Sequence, residues 1–419
     1  MKTVEEFLSS NGFVTADQLD RQGIISSFLD EMAKGLKGEK SSLAMIPSYI
    51  GVNKQLPEGA KVAVLDAGGT NFRSAIVAIP ATVESRMNRP MPGAGEEVDK
   101  ETFYATFAEE VRRVLPLANM ARMGWCFSYP CEITESLDAK LTRWTKGIKA
   151  PEIVGQYVGG ELMKRIGGGE IAVVNDTVAT LLAGKALERG RIFSSYLGFI
   201  LGTGTNVAYV ERTKEGAEII NAESGAFNKI ARSSFDAAMD AKQGDCGANI
   251  FEKMISGAYL GNIALEMYRA AAKGGLFSAR VLSGVMGLGE LSTIDLDGFC
   301  ASTTCSGGAC SPLTTIFSDP DDAKMARRLG RMVYERAAVL TAIHLAAFAI
   351  RTGEGVEKDE PIAIAIDGST YYKTRTIQFS DIVKQELDDM LVKRRNIHYE
   401  ILPHIEDAPL IGAAIAALM

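Results

Sequence analysis

Two stretches of the chain follow one plan. VAVLDAGGTNFRSAIVAI (62–79) and YLGFILGTGTNVAYVER (196–212) each pass from an apolar run, through a turn of small residues, into a second apolar run. Apolar runs of this length on either side of glycine read as paired, buried strands. Their recurrence predicts two related half-folds that face a common ligand. The chain's 419 residues leave room for two lobes of unequal size.

A third turn follows the apolar run PIAIAI (361–366), so that DAGGTN, GTGTN and DGST all offer glycine backbone together with a hydroxyl. Glycines let successive N–H groups converge on an oxyanion, and threonine adds donors, which is the chemistry of a phosphate site. Asp66 would repel phosphate unless a Mg2+ ion, reached directly or through water, stood between them. Taken singly, each turn reads sooner as a plain strand-ending turn, and it is the three together that point to phosphate. The chain has no G-x-x-x-x-G-K-[ST] run, and no G-x-G-x-x-G opens a helix after a strand, so neither the P-loop nor the dinucleotide fold competes well.

Elsewhere the periodicity predicts two helices within residues 1–36, a helix from Asp99 to Leu115, long helices over 249–273 and 321–351, and a terminal helix in DAPLIGAAIAALM. MGWCFSYP and EIAVVND read as strands, and the stretch from Pro80 to Thr102 reads as irregular. Charged residues make up 23% of the chain and no apolar run suffices for a bilayer, so no membrane partner is expected. A net charge of -7 gives no support for nucleic acid as a partner. The N-terminus lacks a continuous apolar segment of the secretory kind, and a cytoplasmic location is the expectation. Six scattered cysteines read as reduced thiols. In CASTTCSGGAC, the equal spacing of Cys300, Cys305 and Cys310 lacks a nearby histidine, so a flexible loop is favoured over a metal site.

The motifs LDAGGTNFR, FSYP, WTKG, VNDTVATL, LGTGTN, NAESGAF, FEKMISGAYLG and DGST, preceded by SSLAMIPSYI, resemble the hexokinase family in order and approximate spacing over nearly the whole chain. The resemblance implies an α/β, two-lobed actin-like ATPase fold (ribonuclease H-like). Each lobe would be a mixed β-sheet flanked by helices, with the active site in the cleft between them. It divides the chain into a small lobe, 60–174 plus 405–419, and a large lobe, 1–59 plus 175–404. It further implies transfer of the γ-phosphoryl of Mg-ATP to the 6-hydroxyl of a hexose, glucose foremost, with ATP and Mg2+ required. As a single unit the chain lacks the tandem duplication of some relatives, and monomer and homodimer both stay open.

By the same match Asp176 is the catalytic base, with Lys146 and Arg73 placed to stabilise charge on the moving phosphoryl group. Ser128, Thr145, Lys146, Asn175, Asp176, Asn206, Glu223 and Glu252 would bind the sugar. Asp66, Gly68, Gly69, Thr70 and Asn71, then Gly202, Thr203 and Gly204, then Gly368, Ser369 and Thr370, would bind the nucleotide, with Asp66 serving Mg2+ through water. Read without the resemblance, Asp176 is sooner a helix N-cap than a base, Glu252 and Lys253 read as an exposed helical pair, and Lys146 as a solvated turn lysine. Ser224 and Asn228 depart from the family, whose better-known members carry tryptophan and glycine there, and this bears on hexose preference. The alternatives to a kinase are a sugar sensor of the same fold and an actin-like ATPase with no small substrate. The latter has no reason to carry WTKG, NAESGAF and FEKMISG.

Overall fold

The computed structural model describes residues 3–51, 56–187, 190–214, 216–301 and 311–419. In chain order the strands are β1 (Ile46–Gly51), β2 (Lys61–Ala67), β3 (Asn71–Ala78), β4 (Thr82–Pro90), β5 (Arg122–Phe127), β6 (Cys131–Ile133), β7 (Ala139–Leu141), β8 (Glu170–Val174), β9 (Ser195–Leu201), β10 (Thr205–Thr213), β11 (Gly216–Asn221), β12 (Ile362–Asp367) and β13 (Tyr399–Ile401). One sheet runs β4-β3-β2-β5-β8 and another β1-β11-β10-β9-β12-β13, with β6 and β7 forming a separate ribbon.

The two sheets repeat one topology. In each, three antiparallel strands (β2, β3, β4; β9, β10, β11) are followed by two that pair in parallel beside the first (β5, β8; β12, β13). The apolar runs noticed in the sequence are the first two strands of each half, and their small-residue turns are the β2–β3 and β9–β10 connections. Only β1, paired antiparallel to β11, breaks the correspondence.

Between the sheets lie two helices, Asp176–Ala186 and Ala408–Leu418. The first packs on β9, β10 and β12, the second on β2, β5 and β8, and the two pack on each other. Their approach depends on glycine. A Cβ on Gly412 would sit 1.9 Å from Ala179 O, and one on Gly124 2.0 Å from Ala413 O. One apolar cluster therefore runs from Val62 and Val64 through Val178, Ala179 and Ile411 to Ala363 and Ala365. The outer face of the smaller sheet is covered by the helices Lys100–Val114 and Val158–Ile166, whose Phe103, Phe107 and Leu162 pack around Trp125. The outer face of the larger sheet is covered by Pro320–Thr352. That helix is long and apolar enough to cross a membrane, but 89% of its apolar window is buried inside the protein, as in a core helix.

Two sequence expectations change. Residues 249–273 form two helices, Ile250–Ile255 and Leu260–Lys273, because the N–H groups of Gly257 and Ala258 bond to Gly202 O and Thr203 O instead of continuing the helix. The irregular stretch after Pro80 contains β4, a nine-residue edge strand paired with β3. Its largely exposed, charge-bearing sequence suits an edge and hides the strand from apolar periodicity. Cys300 is buried in the helix Thr293–Ala301, whereas Cys305 and Cys310 lie outside the described residues.

Candidate active site

The first turn begins where β2 ends. Asp66 is buried there, and its Oδ2 accepts from Arg73 Nε at 2.9 Å and Nη2 at 2.6 Å. Arg73 also donates to Asp407 at 2.6 Å, and Arg86 donates to the other oxygen of Asp407 at 2.8 Å. The sequence reading aimed Arg73 at the transferred phosphoryl group. In the structure its guanidinium is held between two carboxylates, and it fixes Asp66 in place.

Oδ1 of Asp66 is left for another partner. It lies 3.8 Å from where a Cβ of Gly68 would be, and Gly69 has nothing within 4 Å of its Cβ position. Among the described residues, the N–H groups of Gly68, Gly69 and Thr70 make no hydrogen bond, while their carbonyls accept from Lys146, Tyr129 and Met91. Free amides beside a spare carboxylate oxygen, on an open face, fit phosphate and a cation together. Asn71 follows, exposed, at the start of β3.

The second and third turns interlock. Gly202 O accepts from Thr370 Oγ1 at 2.8 Å and from Gly257 N at 2.8 Å. Gly368 has φ +124°, and a Cβ there would lie 2.2 Å from Leu201 O, so only glycine brings the turns this close. Ser369 and Thr203 are exposed beside this junction. A Cβ on Gly204 would lie 2.4 Å from Glu252 Oε2, which is how Glu252 reaches the Thr205 N–H at 2.9 Å.

Between the turns, β8 ends and the helix of Asp176 begins. Asn175, not Asp176, is the N-cap: its Oδ1 accepts from Thr177 N at 3.0 Å and Thr177 Oγ1 at 2.6 Å. Asp176 is the first helical residue and half-buried, with one oxygen on the Thr177 N–H at 2.9 Å. Burial raises its proton affinity above that of an ordinary aspartate and the Asp66 charge adds to the rise, while the Lys146 ammonium and a Ser128 hydrogen bond oppose it.

Lys146 is exposed but not free. Its backbone is left-handed, at φ +58°, and its Nζ donates to Gly68 O at 2.5 Å and Ser128 O at 3.1 Å, over the ring of Tyr129. It ties the WTKG loop, with half-buried Thr145, to the first turn.

Opposite, Asn206 Nδ2 donates to Asn221 Oδ1 at 2.8 Å, and Asn221 Nδ2 donates to Glu223 Oε1 at 2.9 Å. Asn206 Oδ1 is fixed by the N–H groups of Val207 and Ser224. Burial raises the proton affinity of Glu223, with Asn221 opposing and Asp176 reinforcing. Burial does the same to Glu252, opposed by the Thr205 N–H and reinforced by Glu223. Three carboxylates that feel one another therefore share a cleft with Lys146. A narrow cavity lined in part by Tyr129, Asn175 and Asn221 adjoins them.

The sequence reading passed over Asn221, although it is the first letter of NAESGAF, and Arg143, whose charge lowers the proton affinity of Glu223. It also passed over Asp407. Lys253 was read as exposed but is 2% exposed.

Two family models, each described as hexokinase, match residues 6–186 and 196–419. The chain is 31% identical over 435 aligned residues to hexokinase-1 of Spinacia oleracea, covering 92% of this chain and 85% of that one. It is 30% identical to hexokinase-3 of Homo sapiens over 81% of its own length, spanning 39% of the human protein. Its structure is similar to that of hexokinase from Schistosoma mansoni complexed with glucose, with a TM-score of 0.77 at 26% identity and both chains covered in full.

Proposed function

The chain belongs to the hexokinase family and is a hexokinase; from that premise we propose that it transfers the γ-phosphoryl group of Mg-ATP to the 6-hydroxyl of a hexose, D-glucose foremost. The observation that carries this reading is Asp176 at the cleft, a carboxylate of raised proton affinity between a fixed lysine and a wall of amides and carboxylates.

Phosphoryl transfer needs positioning, charge neutralisation and a base for the attacking hydroxyl. Asp176 accepts the hexose hydroxyl proton as that oxygen bonds to the γ-phosphorus, while the bond to the β-phosphate oxygen breaks and ADP departs. Asn175, Asn206, Glu223, Glu252, Ser128 and Thr145 hold the remaining hydroxyls, each of which both donates and accepts. Gly68 to Asn71 and Gly202 to Gly204 bind the phosphates, and Gly368, Ser369 and Thr370 the adenosine side. Asp66 would hold Mg2+ through water, and the ion would supply neutralisation of the phosphate charge. Lys146, already on Gly68 O, supports the transferred charge. Residues 60–174 with 405–419 form the small lobe, and closure on the sugar excludes water that would otherwise accept the phosphoryl group.

Asp176→Asn tests the role of the base. Glucose should still bind by calorimetry within a few-fold of the native protein, while kcat falls by about 10²–10⁴. Near-native turnover would remove Asp176 from that role.

A further inference from the structure

Among the buried charges that the mechanism above leaves without a task, Lys253 lies next in sequence to a proposed sugar ligand. Lys253 follows Glu252 on the helix Ile250–Ile255, and its side chain runs into the protein. Its ammonium bonds Asp240 Oδ1 at 2.7 Å, Asp245 Oδ1 at 2.8 Å and the Asp245 carbonyl at 3.0 Å. Asp240 also accepts from Arg232 at 2.7 Å and from the Gly247 N–H at 3.1 Å. Two cations thus balance two carboxylates.

Residues 241–249, which join Asp240 to the helix, contain no strand or helix and end at Asn249 with φ +48°. A six-residue helix cannot hold itself by its own hydrogen bonds. Its position is fixed from outside: by its buried Phe251, Met254 and Ile255, by the Phe227 O that receives the Phe251 N–H, by the Gly257 and Ala258 N–H groups on the second turn, and by the lysine that gathers the preceding loop. Glu252 meets the second turn only because this helix stands where it does. Its Oε2 reaches the Thr205 N–H through the gap left by Gly204.

We propose that Lys253 is a positioning residue for hexose recognition: by pinning the loop 241–249 through Asp240 and Asp245, it sets the helix that presents Glu252 to the sugar and to the second turn. The inference rests on the reading of Glu252 as a hexose ligand. Removing the ammonium leaves the fold of the rest of the large sheet in place and loosens one wall of the sugar site.

The test compares the native protein with Lys253→Met, Lys253→Arg and Lys253→Met/Asp240→Asn. For each it measures the melting temperature, glucose Kd by calorimetry, and KM for glucose and for Mg-ATP. Lys253→Met should raise glucose Kd and KM by about tenfold or more, because small misplacements of binding groups are costly. KM for Mg-ATP should stay within about twofold, since the phosphate turns keep their other anchors. Lys253→Arg should recover part of the glucose affinity. Asp240 keeps Arg232 and the Gly247 N–H when Lys253 is removed, so the double variant, which lowers its charge without restoring the link to the helix, should bind glucose no better than Lys253→Met. Glucose binding within about twofold of native, in a folded Lys253→Met or, where that does not fold, in the double variant, would overturn the proposal. So would an equal rise in KM for Mg-ATP. Native protein that binds no glucose in the same calorimetry would refute instead the reading of Glu252 as a glucose ligand, on which the proposal stands.

Discussion

Asp176 holds its proton more tightly than a solvated aspartate, chiefly because it is buried. A base works only when ionised, so turnover is present above its raised pKa and is lost as pH falls through it. The acid limb of kcat should therefore lie above the ordinary aspartate range. Lys146 opposes the rise, so Lys146→Met should move that limb to higher pH as well as lower kcat. An unmoved limb in a folded Lys146→Met would show that the ammonium does not act on this carboxylate. The placing of Asp176, Lys146, Glu223 and Glu252 in one cleft was legible only through the resemblance of their motifs to the hexokinase family, since read singly Asp176, Lys146 and Glu252 also fit a cap, a turn and an exposed helical face. Asn175 as the cap was not, because Asn and Asp in succession before an apolar run satisfy the same rule, and they are separated by the extended backbone of Asn175 and the bond it receives from the Thr177 hydroxyl. Nor was the burial of Lys253, whose partners come from a loop that no periodicity describes.

At the scale of elements, the helices Asp176–Ala186 and Ala408–Leu418 make the most extensive contact between the two halves, and they meet where glycine removes a side chain. Gly412→Ala would put a methyl carbon within 1.9 Å of Ala179 O, three residues along the helix from the proposed base. The helices must part, at a cost of about 1–3 kcal/mol from overpacking. A lower melting temperature should come with a lower kcat, because Asp176 rides on the displaced helix. A melting temperature unchanged from native would mean that the two helices separate freely. The terminal helix was readable from its small residues, but its partner was not, since nothing local says which helix a small-residue face will meet. β4 was missed for a related reason: an edge strand carries its pairing in backbone bonds to β3, and its side chains give no alternation.

In the whole molecule, two sheets of one topology present their turns to one cleft. The duplication was visible from two apolar hairpins alone, because a strand buried on both faces writes itself as an unbroken apolar run. What composition could not supply was the chemistry between the halves, which depends on residues brought together from β2, β8, the WTKG loop, β11 and the helix Ile250–Ile255. On the proposed reading, the turns of small residues alone would serve any ATPase of this architecture, and it is the wall of Asn206, Asn221, Glu223 and Glu252 that suits a polyhydroxylated substrate. The most direct measurement is ADP release by the purified protein with Mg-ATP, without sugar and with each of glucose, mannose, fructose and glucosamine. Slow release alone and fast release with glucose is the predicted result. Release that no hexose stimulates, or that proceeds equally fast without sugar, would contradict a hexose kinase acting through this cleft.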